Sequence, residues 1–197
     1  YFTGWSTIYF QTNRVFRDPS AWYHIVFAMD TTQSTNTDRW KLYINGTQET
    51  SFASTSYPSQ DADLAINEAV EHMVGKYSTN LFDGYIAEFN FIDGSALTPS
   101  SFGKTNSKTG QWIPKKYSGS YGTNGFYLNF SDNSNTTAAT LGKDSSGNGH
   151  NFTPNNFVTG DSVKDSPTNN FATLRLYGTP AESGAGLTEG NLEFTSG

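Results

Sequence analysis

The chain has 197 residues and a net charge of −6, and charged side chains make up only 15% of it. Nucleic-acid affinity depends on clustered lysine and arginine, so this acidic balance argues against a nucleic-acid partner. The sequence lacks cysteine, which excludes disulfides and thiolate metal sites, and no apolar run approaches the ~20 residues of a membrane span. Its 19 glycines, 15% aromatic residues and Ser/Thr/Asn-rich connections predict an all-β protein.

The first part of the chain predicts a series of strands. Ile8 to Phe10 and Val15-Phe16 are short strand-like pieces, and Asp18-Pro19-Ser20 is typical of a turn. Trp22 to Met29 alternates two largely apolar faces, which predicts a strand buried on both sides in a sandwich. Trp40 to Ile44 is apolar at every second residue, which predicts a half-buried strand.

A hairpin and a long loop are predicted next. Asn45-Gly46 tolerates the positive φ of a type I′ turn, so Thr47 to Phe52 is expected to return as the partner strand. From Phe52 to Glu71 the sequence shows no clear periodicity, which predicts a surface loop. Within it, Leu64 to Val70 fits either one helical turn or an edge strand.

Asp83-Gly84 leads into a predicted strand from Tyr85 to Ile92, which Asp93-Gly94 ends. Glu88 lies in the middle of this strand. Glycoside hydrolysis needs two carboxyl groups roughly 5 to 10 Å apart, but residues 86 and 90, the next positions on the same face, are isoleucine and asparagine. We therefore predict that Glu88 is a solvent-facing or edge residue and that the protein is not an enzyme.

The segment from Leu97 to Gly103 predicts one helical turn, with Thr98 as N-cap and Pro99 at the first helical position. The loop-rich stretch from 105 to 125 carries Trp112, Ile113, Tyr117 and Tyr121. Exposed aromatic rings there would stack on sugar rings. The alternative, which the usual burial of large aromatics favours, is that Trp112 and Ile113 pin the loop against the sandwich.

Gly125 to Phe130 predicts a short strand that presents Phe126, Leu128 and Phe130 on one face, and Asp144 to His150 predicts a tight hairpin that supports the sandwich. Eight residues are predicted to form one core between two antiparallel sheets: Trp22, Val26, Trp40, Leu42, Ile44, Tyr85, Phe89 and Phe91.

No metal site is predicted. Asp61 and Asp63 supply two oxygen ligands, whereas calcium takes about six to eight. His150 has no His, Cys or paired acid beside it in the sequence. No catalytic, cofactor-binding or metal-binding residue is therefore assigned, and the ligand-binding residues are left open.

Four motifs together resemble the laminin-G-like, concanavalin A-like lectin family: W-Y-H-I-V at 22–26, K-L-Y-I-N-G at 41–46, the run from 82 to 94, and D-S-S-G-N-G-H at 144–150. In particular, they are similar to versions of that domain in tail-fibre and other virion proteins of marine bacteriophages. The resemblance implies an antiparallel jelly-roll sandwich over residues 1–160. The stretches 165–174 and 186–194 are similar to segments that lead into a SPRY-like domain, so 161–197 is interpreted as an extended linker or the start of a following β domain.

The same resemblance implies a structural and adhesion module of a virion, part of a tail fibre or related appendage, with host-surface carbohydrate as a candidate ligand. Its partners would be other virion subunits, with a homo-oligomer expected and a trimer favoured. Two alternatives are a purely architectural capsid-decoration or tail protein and a glycan-binding module of a secreted polysaccharide-active enzyme. A glycan-degrading enzyme is disfavoured by the missing acid pair.

Only about seven or eight segments have strand periodicity, whereas a jelly-roll sandwich has about a dozen strands. We therefore expect the sandwich to lack strands at its N-terminus and to expose part of the surface from Trp22 to Met29. An exposed sheet edge is a template for association, so the isolated chain is expected to be oligomeric or prone to aggregate.

Overall fold

The computed structural model describes residues 8–163 except 19 and 69, together with residues 166–167, 186–188 and 193–195. Strands and turns dominate these residues, which confirms the all-β prediction. The strands are Tyr9–Thr12 (β1), Ile25–Met29 (β2), Trp40–Ile44 (β3), Thr47–Gln48 (β4), Phe52–Ser56 (β5), Lys76–Tyr77 (β6), Asn80–Leu81 (β7), Phe89–Phe91 (β8), Gly103–Thr105 (β9), Trp112–Pro114 (β10), Phe126–Leu128 (β11), Gly186–Thr188 (β12) and Glu193–Thr195 (β13).

Helical structure in the described residues is limited to single turns. They are the α-helix Asn36–Arg39 (α1) and the 3₁₀ helices Ala65–Asn67, Pro99–Ser101 and Thr159–Asp161. The turn at Pro99–Ser101 confirms the one predicted there. No helix in the described part of the chain is long and apolar enough to cross a membrane.

The chain folds as two compact units. The first comprises Tyr1–Ile86 and Ile92–Asn124, and the second comprises Ala87–Phe91 and Gly125–Gly197. In the C-terminal segment, β12 and β13 pair as antiparallel strands, with Leu187 opposite Phe194. Most of the stretch 165–174 lies outside the described residues, so the predicted division into 1–160 and 161–197 stays a prediction.

A three-stranded antiparallel sheet of β2, β3 and β4 carries the core of the first unit. Trp40, Leu42 and Ile44 of β3 are buried, which confirms the predicted half-buried strand. Asn45 and Gly46 take φ values of 48° and 80°, as the predicted tight turn requires.

The returning strand β4 is shorter than predicted, because it covers only Thr47 and Gln48. The next residue still continues the pairing, since the Glu49 N–H donates to the Leu42 carbonyl at 2.8 Å. Phe52, which was expected to belong to this strand, lies in β5 instead.

The prediction that Trp22 to Met29 is buried on both faces is wrong. The strand begins at Ile25, and although Val26 and Ala28 are buried, Ile25 and Phe27 are 49% and 60% exposed. Phe27 lies opposite Leu42 in the register, so it shares a face with the buried side chains of β3. Within the described residues β2 pairs only with β3. The same face of the sheet is therefore buried at β3 and exposed at the edge strand β2.

The loop predicted from Phe52 to Glu71 begins instead as the strand β5. It pairs antiparallel with β1, and the Tyr9 hydroxyl lies 2.9 Å from the Ser54 hydroxyl. The partner strand β1 is about forty residues away in the sequence, so no local pattern predicts this pairing. Of the two alternatives for Leu64 to Val70, the 3₁₀ turn at Ala65–Asn67 confirms the helical one.

The strand predicted from Tyr85 to Ile92 is also too long, because only Phe89–Phe91 is extended and paired. Glu88, directly before β8, takes a φ of 52°. This left-handed conformation interrupts the extended backbone that the sequence predicted. Tyr85, before this break, is 57% exposed, so its predicted place in the core is wrong. The turn at Asp93-Gly94 is confirmed, with a φ of 78° at the glycine.

The second unit has its own core around β8 and β11. Phe126, Leu128 and Leu141 are buried, and the rings of Phe89 and Phe91 lie 5.8 and 5.3 Å from that of Phe126. The predicted single core is therefore wrong, since its members fall in two units. The strand also ends at Leu128 rather than at 130, because Phe130 takes a φ of 53°.

The N-terminal predictions have mixed outcomes. The turn at Asp18 is confirmed, since the backbone N–H and hydroxyl of Ser20 donate to its carboxylate at 3.0 and 2.6 Å, although Pro19 lies outside the described residues. The piece from Ile8 to Phe10 corresponds to β1. Val15 and Phe16 lie in no strand and are exposed.

Replacing Trp40 by alanine should lower the free energy of unfolding by about 3 to 5 kcal/mol, because the indole fills the buried face of β3. Phe27→Ala, on the same face but mostly exposed, is the matched control and should cost about 1 kcal/mol or less. Urea unfolding followed by circular dichroism measures both. Equal losses for the two variants would contradict the assigned burial.

Candidate functional site

The first unit contains a pocket of about 130 Å³. One water needs roughly 10–15 Å³ by the same measure, so a larger chemical group fits. The pocket lies where β1 and β5 meet β3 and β4, and we call it the aromatic pocket. Its lining residues are Phe10, Thr37, Trp40, Lys41, Leu42, Gln48, Glu49, Thr50, Phe52 and Tyr57.

Phe10 is the centre of the aromatic wall. Its ring stacks on Phe52 at 4.8 Å, lies tilted against Trp40 at 4.6 Å and meets the edge of Tyr57 at 5.5 Å. Phe52 and Tyr57 are half-buried, so each keeps part of its surface accessible. The wall thus presents apolar ring surface of the kind that contacts the C–H face of a sugar.

Glu49 is the one acidic residue among those that line the aromatic pocket, and it is buried. Its Oε2 accepts a hydrogen bond from Arg14 Nε at 2.7 Å, and its Oε1 accepts from the backbone N–H groups of Thr50 and Ser51. The hydrogen bond from Arg14, supported by those from the backbone, lowers the pKa of Glu49 below its ordinary value. The carboxylate is therefore ionised and fixed in place at neutral pH.

Neutral polar groups complete the lining. Thr37, Gln48 and Thr50 are exposed, and their side chains make no hydrogen bond within the described residues. Trp40 Nε1 is buried without a hydrogen-bond partner in the same part of the chain. An aromatic wall with a few polar groups beside it, of which the Glu49 carboxylate is held in place, is a typical arrangement for binding a small polar molecule.

No group of three or more histidine, aspartate or glutamate side chains in the described residues is placed to hold a metal ion. Asp61 takes a φ of 54°, and its backbone N–H donates to the Thr31 carbonyl at 2.9 Å. Asp61 and Asp63 are thus parts of a loop, and in the described residues they do not belong to a cluster of three or more such side chains.

Glu88, the acid singled out in the sequence, lies in the second unit and is half-buried. Burial raises its pKa, and the nearby carboxylate in turn contributes to a raised pKa of Tyr127, whose main cause is also burial. Its left-handed backbone lies directly before the first residue of β8. Glu88 therefore lies outside the strand rather than in its middle, and its half-buried side chain does not fit the predicted solvent-facing position.

Trp112 pins its loop, as the favoured alternative predicted. It begins β10, which pairs with β9, and its indole covers Gly46 and Gly103. A Cβ atom at either glycine would overlap the indole. Tyr117 packs against Tyr121 at 5.2 Å and against Phe102. These rings are engaged with each other rather than arranged as an open platform.

The segment from Asp144 to His150 is organised by a buried carboxylate. Asp144 accepts hydrogen bonds from the backbone N–H groups of Tyr127, Ser146 and His150 and from the Ser146 hydroxyl, at 2.8 to 3.0 Å. Gly147 and Gly149 take φ values of 100° and 83°, which the tight turns require. Asn148 Nδ2 donates to the Gly125 carbonyl. The segment is therefore a structural turn that fastens to β11, rather than a paired hairpin.

A laminin-G-type model of the concanavalin A-like lectin/glucanases superfamily matches residues 1–102. The chain belongs to this superfamily. Membership confirms the predicted jelly-roll fold class, and the matched range contains every residue that lines the aromatic pocket. Comparisons with curated proteins and with solved structures gave no match.

The superfamily includes both lectins and glucanases, so membership alone does not separate binding from hydrolysis. The sequence did not point to the aromatic pocket either, because Phe52 and Tyr57 stand in a Ser/Thr-rich stretch that looks like a loop. The signal that could have indicated the aromatic pocket was the pair of aromatic residues Tyr9 and Phe10, because these rings need a partner strand to bury them.

Asp144→Asn should lower the free energy of unfolding at pH 7 by about 1 to 3 kcal/mol, because an amide cannot accept all four hydrogen bonds. Burial alone raises the Asp144 pKa, but the hydrogen bonds outweigh it and the pKa lies below its ordinary value of 3.8. The carboxylate thus stabilises the fold above pH 3.8, and this contribution is lost as the pH falls through the lower folded-state pKa.

The difference between the two proteins should therefore be constant near neutral pH and shrink at strongly acidic pH, as measured by urea unfolding at several pH values. Asp132→Asn, an exposed aspartate in a similar turn, is the control and should have a smaller effect. A difference that grows on acidification would contradict the assignment.

Proposed function

We propose that this chain is a carbohydrate-binding module without hydrolytic activity, and that the aromatic pocket is its sugar site. The observation that carries the proposal is the combination of accessible ring surface on Phe52 and Tyr57 with the fixed carboxylate of Glu49. Rings contact the apolar face of a sugar, and a carboxylate accepts hydrogen bonds from its hydroxyls. The lectin/glucanase superfamily supports the same class of ligand.

Hydrolysis is disfavoured by the state of the acids. A retaining or inverting glycosidase uses two carboxyl groups, one of them a protonated acid with a raised pKa. Glu49 has a lowered pKa and accepts three hydrogen bonds, so it has no proton to donate at neutral pH. Glu88 has a raised pKa, but it does not line the aromatic pocket.

We place the module in a virion, as part of a bacteriophage tail fibre or related appendage, on the resemblance of its motifs to those of phage virion proteins. The segment after residue 160 would then lead into a SPRY-like domain, and the assembly would be a homo-oligomer, with a trimer favoured. The exposed apolar edge at Ile25 and Phe27 supports subunit contacts, since such edges associate. The aromatic pocket favours adhesion to host-surface carbohydrate over a purely architectural role.

Tyr57→Ala should weaken sugar binding by about tenfold or more, because it removes ring surface from the aromatic pocket. Isothermal titration calorimetry with a panel of neutral and acidic oligosaccharides provides the measurement. Tyr23→Ala, another half-buried tyrosine of the first unit that does not line the pocket, is the matched control and should bind like the unmodified chain. Thermal melting verifies that both variants fold.

Two results would contradict this proposal. Loss of binding in Tyr117→Ala but not in Tyr57→Ala would move the site to the loop at 105–125. Release of reducing ends from the bound glycan, abolished by Glu88→Gln or Glu49→Gln, would make the protein an enzyme.

Phe27→Glu should convert the oligomer to a monomer, because a charge at the exposed apolar edge opposes its burial in a subunit contact. Size-exclusion chromatography with light scattering measures the mass. Leu81→Glu, at a side chain that is 71% exposed but lies in β7, is the control and should leave the oligomer intact. A monomeric unmodified chain would refute the proposed homo-oligomer.

A further inference from the structure

The hydrogen bonds of Glu49 determine what kind of group it can still bind. A carboxylate offers about four lone-pair sites, and Arg14, Thr50 and Ser51 occupy three of them. About one acceptor site remains for a ligand. A sugar hydroxyl can donate to it, whereas the carboxylate of an acidic sugar has no proton to donate at neutral pH and carries the same charge as Glu49.

The other charges near the aromatic pocket are already matched. Arg14 Nε is committed to Glu49 at 2.7 Å. Lys41, the one basic residue among those that line the pocket, has its ammonium 2.9 Å from the Asp38 carboxylate. None of the lining residues, all of which are described, therefore offers an unpaired cation to an anionic ligand.

We propose that the aromatic pocket selects uncharged sugar residues and discriminates against uronic and sialic acids. This inference rests on the proposed function, that the pocket binds sugar. A neutral sugar places its C–H face on the aromatic wall and donates a hydroxyl to Glu49. An acidic sugar brings a second carboxylate next to a buried one, and no free cation offsets the repulsion.

The test compares matched pairs of oligosaccharides on the full chain by calorimetry: gluco- with glucurono-, galacto- with galacturono-, and manno- with mannurono-oligosaccharides of equal length. The neutral member of the pair that binds should bind about tenfold tighter or more than its acidic partner, since like charges in an interface are costly. Its affinity should change little between about 50 and about 500 mM NaCl, because no net charge is engaged.

Three variants assign the selectivity to Glu49. Glu49→Gln removes the negative charge at nearly constant shape and should bring the two members of the pair within about threefold of each other. Arg14→Gln leaves the Glu49 carboxylate without its cation and should increase the affinity difference between the neutral and the acidic oligosaccharide. Arg17→Gln, an exposed arginine that makes no ion pair within the described residues, is the matched control and should preserve it.

The outcomes separate this inference from the function on which it rests. If no oligosaccharide of either class binds, both are overturned. If sugars bind but the acidic member binds as tightly as the neutral one, the proposed function stands and this inference fails. The inference also fails if the affinity difference between the neutral and the acidic oligosaccharide is the same in the unmodified chain and in Arg14→Gln. This comparison does not depend on whether Glu49→Gln folds.

Discussion

The packing of the Phe10 ring against Trp40 and Phe52 is the contact on which the first unit depends. Trp40 belongs to the three-stranded sheet, while Phe10 and Phe52 lie on the paired strands β1 and β5 and stack diagonally between them. The pair of β1 and β5 is too small to be stable alone, because two short strands bury little apolar surface. The three rings join the two sheets into one core, and the pocket is the space that remains beside their contact.

Two buried carboxylates show how this β protein places charge in its interior. Glu49 and Asp144 each receive several hydrogen bonds, largely from backbone N–H groups of the turn that follows them. Such turns contain donors that no ladder satisfies, and a carboxylate satisfies several at once. The charge of Glu49 is additionally matched by Arg14, which accounts for its fixed position beside an otherwise apolar wall.

Local patterns predicted the elements whose structure is local. The alternation of Trp40, Leu42 and Ile44 and the turn residues Asn45-Gly46 act over a few neighbours, and both predictions are confirmed. Whether a strand is buried on one face or on both depends instead on residues that are distant in the sequence. The strand from Ile25 has the same apolar pattern on both faces, yet its position at a sheet edge leaves one face exposed.

The candidate site was harder to predict for the same reason. Its wall is formed by residues whose strand partner lies about forty positions away, and its acid stands in a polar segment that resembles any exposed turn. Glu88 interrupts an apolar run in the sequence, but the left-handed backbone that it adopts directly before β8 cannot be inferred from neighbouring residue types.

The indole of Trp112 over Gly46 and Gly103 has a consequence for how this domain can vary. The connection from β9 to β10 is closed at its base by hydrogen bonds between Asn106 and Gln111 and between Gly110 and Asn106, and the tryptophan anchors it just beyond. The two glycines admit no larger residue. Between the closing pair, the Lys108 N–H donates to Asn106 Oδ1 and the Thr109 hydroxyl accepts from the Gln111 N–H, so these bonds stay within the loop. Insertions at 107–109 would therefore alter hydrogen bonds inside this tip rather than the packing of Trp112, which makes the tip a natural place for diversification and for grafting foreign peptides.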